Sequence, residues 1–195
     1  FGEGDFLLPA IERLLAAWKN LEKEGNPITA LAGSLRAIEL HHETYTKTRE
    51  GVIQLLRKNG INDKAASALA GQWLIRGDFL LASLPDPFDT VVGNPPYVRQ
   101  ELIPDVLLAE YRSRYSTIYD RADLYIPFME RSLLSLSEGG NLGFICADRW
   151  MKNRYGSRLR QLVASRFHLK IFVDMVDTPA FNSDVIAYPA ITIIS

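Results

Sequence analysis

Cysteine is nearly absent from these 195 residues. Cys146 stands alone, which excludes an intrachain disulfide and any multi-cysteine metal site and fits a reducing compartment. Long apolar runs are absent too: none approaches the roughly 18 residues a membrane span needs, and the start lacks a signal peptide's basic-then-apolar pattern. The expectation is a soluble, cytoplasmic chain with no membrane partner. Neither charge dominates, with 22 Lys and Arg against 23 Asp and Glu, so net charge neither requires nor forbids a polyanionic partner. A third glycine is missing from the opening turn. A dinucleotide fingerprint that starts with Gly2 and Gly4 wants glycine where Leu7 stands, which disfavours a nicotinamide cofactor. His41 and His42 are adjacent with no third ligand spaced to complete zinc, so no metal is expected. There is no low-complexity linker, and the twin "GDFLL" stretches at 4–8 and 77–81 have unlike flanks and make no repeat.

What is present reads as one globular α/β domain. Apolar residues at three-to-four-residue spacing predict a helix over 5–19 after the "FGEG" turn. A short strand in "SLRAIEL", a helix over 43–58 closed by Gly60, and a helix capped by Asn62 follow. "WLIRGDFLL" and "FDTVVGNPP" look like strands running into loops. "ADLYIPFMERSLLSL" is a helix that tolerates Pro127 only in its first turn. "GGNLGFICAD" is a turn and a buried strand containing Cys146, and "GSRLRQLVASRF" is a helix. "LKIFVDMV" and "VIAYPAITIIS" are two strands that "NSD" can join antiparallel. Strand and helix alternate in this way in a mainly parallel sheet.

Several of these strand ends hold chemistry-bearing residues. A turn with Gly2 and Gly4 lets main chain approach a ligand. Glu39, at a strand end, can accept both hydroxyls of a ribose, and Asp78 can accept from an exocyclic amine with Phe79 against a purine. An ordinary glycine turn, a solvated loop acid and a turn aspartate are the plain alternatives. "NPPY" is more specific. Methylating the exocyclic amine of a nucleobase calls for two acceptors that draw its lone pair out of the ring and accommodate the charge that grows during attack. The side-chain oxygen of Asn94 and the carbonyl of Pro95 are such acceptors. Pro95 and Pro96 stiffen the loop, and Tyr97 offers a stacking face. From Arg149 to Lys170 there are seven cations and no acid, so Arg149, Lys152 and Arg154 could follow phosphates, with a solvated helix face as the alternative. Trp150 and Tyr155 beside them either contact bases or pack.

The order "FGEGDF", "AIEL", "GDF", "VVGNPPYV", "ADLYIPF", "GFICADRW", "TPAF…YPAI" resembles the adenine-specific DNA methyltransferases that use S-adenosylmethionine. It is especially similar to those of fused restriction-modification and phage-defence systems, and the likeness covers most of the chain. It implies a Rossmann-like methyltransferase fold, a mainly parallel sheet with one antiparallel strand and helices on both faces. Carried over by motif, Gly2 and Gly4 would border the methionine part of the cofactor and Glu39 its ribose. Asp78, Phe79 and Phe128 would enclose its adenine, Asn94 to Tyr97 would be catalytic, and Phe181 would flank the target base opposite Tyr97. The implied reaction is methyl transfer to the 6-amino group of an adenine flipped out of double-stranded DNA. Glutamine or RNA-base methylation and an inert binding fragment are the rivals. The family's first strand, with its acidic residue, is not seen before Phe1, nor is a target-recognition domain. The expectation is therefore a catalytic-domain segment, 1–195, of a larger polypeptide.

Overall fold

A computed structural model describes residues 1–21, 25–85, 87–175 and 189–195. The chain forms two compact units, Phe1–Leu84 and Pro85–Ser195, where composition alone suggested one. Among the described residues the strands group accordingly, two in the first unit and four in the second.

In the first unit, helix α1 (Leu7–Asn20) follows the glycine turn, and α2 (Pro27–Leu31) is capped by Asn26. Strand β1 (Ala37–Glu39) leads into α3 (His42–Lys58), and α4 (Asp63–Trp73) into β2 (Leu74–Arg76). Asn62 caps α4 as expected, its side-chain oxygen accepting from Ala65 N at 2.9 Å. The inward stripes of α1, α3 and α4 meet in one core: Ile11, Leu15, Val52, Leu56, Leu69 and Trp73 are fully buried. The Trp73 indole donates to Leu31 O at 2.9 Å, pinning α2 to α4. β1 and β2 are parallel, with Glu39 opposite Arg76, so both strands end at the same edge.

In the second unit the sheet order is β3 (Phe88–Gly93), β4 (Leu136–Ala147), β6 (Pro189–Ile194), β5 (Leu169–Asp174). β3 runs parallel to β4, and β6 runs antiparallel to both β4 and β5. This matches the expected single reversed strand. Helix α6 (Tyr125–Leu134) places Pro127 in its first turn, where its missing N–H has no helical partner to lose. α7 (Arg149–Lys152) and α8 (Ser157–Arg166) complete a core around Ile126, Met129, Leu142, Cys146, Trp150 and Leu159.

Two features differ from the sequence reading. The "GG" at 139–140 does not interrupt β4. Gly139 takes φ +76° and the pairing with β3 slips there, a bulge that keeps the strand continuous. At Gly140 a Cβ would stand 3.0 Å from Phe88 O and 3.2 Å from Asp89 O. Helix α5 (Asp105–Arg114) lies in a stretch that gave no clear period, since most of its residues are exposed and only Leu108 and Tyr111 are buried.

Gly156 is the tightest position in the second unit, because a Cβ there would fall 2.0 Å from Trp150 O. Gly156→Ala is expected to cost about 3 kcal/mol in denaturant unfolding through overpacking against rigid backbone. The control Gly33→Ala, which meets nothing within 4 Å, is expected to change stability by less than about 1 kcal/mol.

Candidate active site

Within the first unit, Glu39 organises the ends of β1 and β2. Its carboxylate is buried and accepts from Gly2 N at 2.9 Å through Oε2 and from His41 N at 2.9 Å through Oε1. The Phe1 amino group lies 3.2 Å from Oε2. Burial opposes its ionisation, but hydrogen bonds from the His41 and Gly2 amides favour the charged form, and the pKa is lowered. Its main-chain oxygen accepts from Gly77 N at 2.9 Å, which ties the β1 end to the loop holding Asp78. Asp78 folds back to accept from Leu80 N at 2.8 Å, and Phe79 beside it is half-buried.

The turn itself requires glycine. Gly2 has φ +57° and Gly4 φ +100°, a region L side chains seldom enter. A Cβ on Gly4 would also meet Leu8 at 3.1 Å and Thr48 at 3.2 Å. Thr48, buried on α3, donates its hydroxyl to Gly2 O at 2.9 Å. Thr48 was not singled out in the sequence, because a threonine inside a helix gives no signal of what it reaches. The structure thus gathers Gly2, Gly4, Glu39, Asp78 and Phe79 at one edge.

Within the second unit, β3 stops after Gly93. Pro95 and Pro96 have no N–H to continue the ladder. Asn94 is exposed at this strand end, Pro95 is buried and Tyr97 is 41% exposed. The Tyr97 ring leans on Tyr125, with centroids 6.1 Å apart at 44°, and the Tyr125 hydroxyl lies 3.2 Å from that of Tyr155. Burial pushes the Tyr97 phenol up to about 12, with the Cys146 thiol a smaller influence, so the ring stays neutral at any working pH. Val98 O accepts from Leu124 N at 2.8 Å, and the Gln100 amide donates to Asp120 O while accepting from Arg112 at 3.0 Å. These bonds hold the exit of the "NPPY" loop against the "RADLY" segment. Asp123 in that segment has its pKa raised by burial, with Arg99 opposing, Glu101 adding and Arg149 opposing. Tyr125 and Gln100 were missed in the sequence, where one reads as a helix-start aromatic and the other as a loop polar residue.

The remaining candidates divide. Phe128 is half-buried on α6 and packs on the second core. Phe181 lies outside the described residues. Trp150 is 1% exposed and packs in the core, the second of the two roles its position suggested. Arg149 is exposed, Lys152 is paired with buried Asp148, and Arg154 donates to the Tyr119 hydroxyl at 3.3 Å. Cys146 is fully buried, and burial, chiefly, lifts its thiol to about 12, leaving no thiolate for nucleophilic work. Among the described residues no cluster of three or more His, Cys, Asp or Glu side chains could hold a metal, and no helix is long and apolar enough to cross a membrane.

The model of the Eco57I restriction-modification methylase family matches residues 20–181. The chain belongs to that family. It is 68% identical over 195 residues to the type II methyltransferase M.PaeR7I of Pseudomonas aeruginosa, covering all of this chain and 34% of that protein. It is 53% identical over 197 residues to M.XhoI of Xanthomonas vasicola, covering 99% of this chain and 36% of that one. The chain thus spans about a third of the length of these curated relatives. Among solved structures, it is similar to the M protein of the type I restriction enzyme EcoKI, with TM-score 0.65, 14% identity, and coverage of 99% of this chain and 38% of that one. A class I S-adenosylmethionine-dependent methyltransferase of Listeria monocytogenes matches with TM-score 0.52 at 17% identity, covering 100% and 70%. The fold of this Eco57I-family chain is the Rossmann-like methyltransferase fold.

The lowered pKa of Glu39 makes a pH prediction. Its contribution to stability is complete above the ordinary value of 4.5 and is lost as pH falls through the lower folded value. Thermal melts of the wild type should therefore weaken on acidification below that point more steeply than melts of Glu39→Gln. Parallel pH profiles would show that the carboxylate does not fasten the turn.

Proposed function

We propose that this chain forms the catalytic core of a restriction-modification DNA methyltransferase that methylates the 6-amino group of adenine, using S-adenosylmethionine. The observation that carries the reading is the end of β3, where an exposed asparagine is followed by a buried proline and by a tyrosine braced from behind by Tyr125. M.PaeR7I and M.XhoI are named as type II methyltransferases, which supports the restriction-modification context.

The first unit fits the cofactor. The glycine turn leaves open space where a Gly2 Cβ would stand. Each Glu39 oxygen has two lone pairs, and Oε1 gives one to His41 N, so it retains acceptor capacity for a ribose hydroxyl. Gly2 and Gly4 would border the methionine part, and Asp78 and Phe79 the adenine. When bound, S-adenosylmethionine supplies an electrophilic methyl group. Asn94 Oδ1 and Pro95 O would accept from the two amino protons of a base extruded from the duplex, bringing the nitrogen lone pair into line for displacement. Tyr97 would stack on that base.

Asn94→Ala in the full-length protein is expected to cut tritiated methyl transfer to duplex DNA by at least about 100-fold. S-adenosylmethionine binding by calorimetry should hold within about twofold, because the lost acceptor acts in the transition state. Nucleoside analysis of the wild-type product should give 6-methyladenine. Undiminished transfer by the variant, a methylated cytosine, or label appearing on protein would each refute the assignment.

A further inference from the structure

The seven cations between Arg149 and Lys170 are not equivalent in the fold. Lys152 is spent on Asp148. Arg160 donates to the carbonyls of Trp150 and Asn153, the latter at 2.9 Å, so it closes the α7–α8 corner. Lys170 reaches Asn141 Oδ1 at 2.8 Å, and Arg166 lies 5.8 Å from the Phe167 ring centre. Arg154 and Arg158 behave differently, because both converge on one residue outside the run. The Arg158 guanidinium sits 4.5 Å from the Tyr119 ring centre and donates to Ser116 O at 2.9 Å, and Arg154 donates to the Tyr119 hydroxyl.

The loop that presents Tyr119 is firmly built. Glu130 on α6, 4% exposed, accepts from Ser116 N at 3.1 Å, Ser116 Oγ at 3.0 Å and Thr117 N at 2.8 Å. A buried carboxylate thus fixes residues 116–117, their carbonyl end orients Arg158, and the tyrosine two residues on spaces the pair. Both arginine side chains are exposed, and each gives one of its five N–H donors to the protein in these bonds. A guanidinium fork held in advance loses little freedom when it meets a tetrahedral oxyanion.

Resting on the DNA reading above, we infer that Arg154 and Arg158, spaced by Tyr119, form a clamp for the phosphodiester backbone of duplex DNA. Such a clamp positions the duplex without reading its sequence. Lys152, Arg160, Arg166 and Lys170 each meet a group of the protein itself. An acidic protein surface is the competing partner, since carboxylates also fit a guanidinium fork, and it is less favoured because the chain belongs to a restriction-modification methylase family.

The test is fluorescence anisotropy of the full-length protein with a labelled random-sequence duplex over a salt series. Arg154→Gln and Arg158→Gln should each reduce the slope of log affinity against log salt by about 0.9, and the double variant by about twice that. Tyr119→Ala keeps both charges, so it should raise Kd several-fold with little change in slope, and Tyr119→Phe, which keeps the ring, should lie between. Lys58→Gln, an exposed charge at the end of α3, should match wild type. Wild-type Kd and slope in the double arginine variant overturn the clamp while leaving the DNA reading intact. A wild-type protein that ignores duplex DNA but binds an acidic polypeptide such as polyglutamate overturns both.

Discussion

The parallel ladder between β3 and β4 is the constraint on which the second unit's site depends. Among the described residues β3 is an edge strand of its sheet and is bonded to β4. Its last pair sets Gly93 opposite Phe144, with that ring 3.5 Å from where a Gly93 Cβ would stand. The chain must leave the sheet at the next residues, because two prolines cannot donate to a ladder. Asn94 is therefore presented at a fixed height at the end of β3. The bulge at Gly139 keeps β4 long enough to support β3 along its length.

Glu39 has the equivalent position in the first unit, by different means. One buried carboxylate gathers two main-chain amides from separate segments, and the carbonyl of the same residue takes a third. Buried carboxylates satisfied by main-chain donors recur in this molecule, since Glu130 performs the same service for residues 116–117. In both places backbone N–H groups meet the carboxylate oxygens, at little entropic cost because the backbone is already ordered. The loops beside β1 and α6 are held in shape in this way, and each presents the side chains assigned above to cofactor and to nucleic acid.

Much of this was legible from local pattern. The helices over 7–20, 42–58 and 63–73 follow from apolar spacing and from the Asn62 cap, and Pro127 falls in the first turn of α6 because its ring is tolerated there. The positive φ angles of Gly2 and Gly4 follow from a turn that only glycine relaxes. The prolines after Asn94 predicted the abrupt end of a strand. Helix α5 was not legible because it carries Val106 at 85% exposure while only two of its residues are buried, so no amphipathic stripe forms. The length of β4 was not legible because "GG" signals a turn in isolation and a bulge when a partner strand lies alongside.

The sequence by itself determined the element order, the glycine turn, the proline-stopped strand and the presence of a cationic run, because these depend on backbone sterics and residue period acting over a few positions. Only the tertiary structure decided what the charged groups do. Glu39 became a main-chain anchor, Arg160 a corner brace, Lys152 half of an ion pair, and Arg154 with Arg158 a pair spaced by Tyr119. Each of those outcomes depends on partners from 2 to 42 residues away, and period along one helix reports which face a charge occupies without naming what packs opposite it.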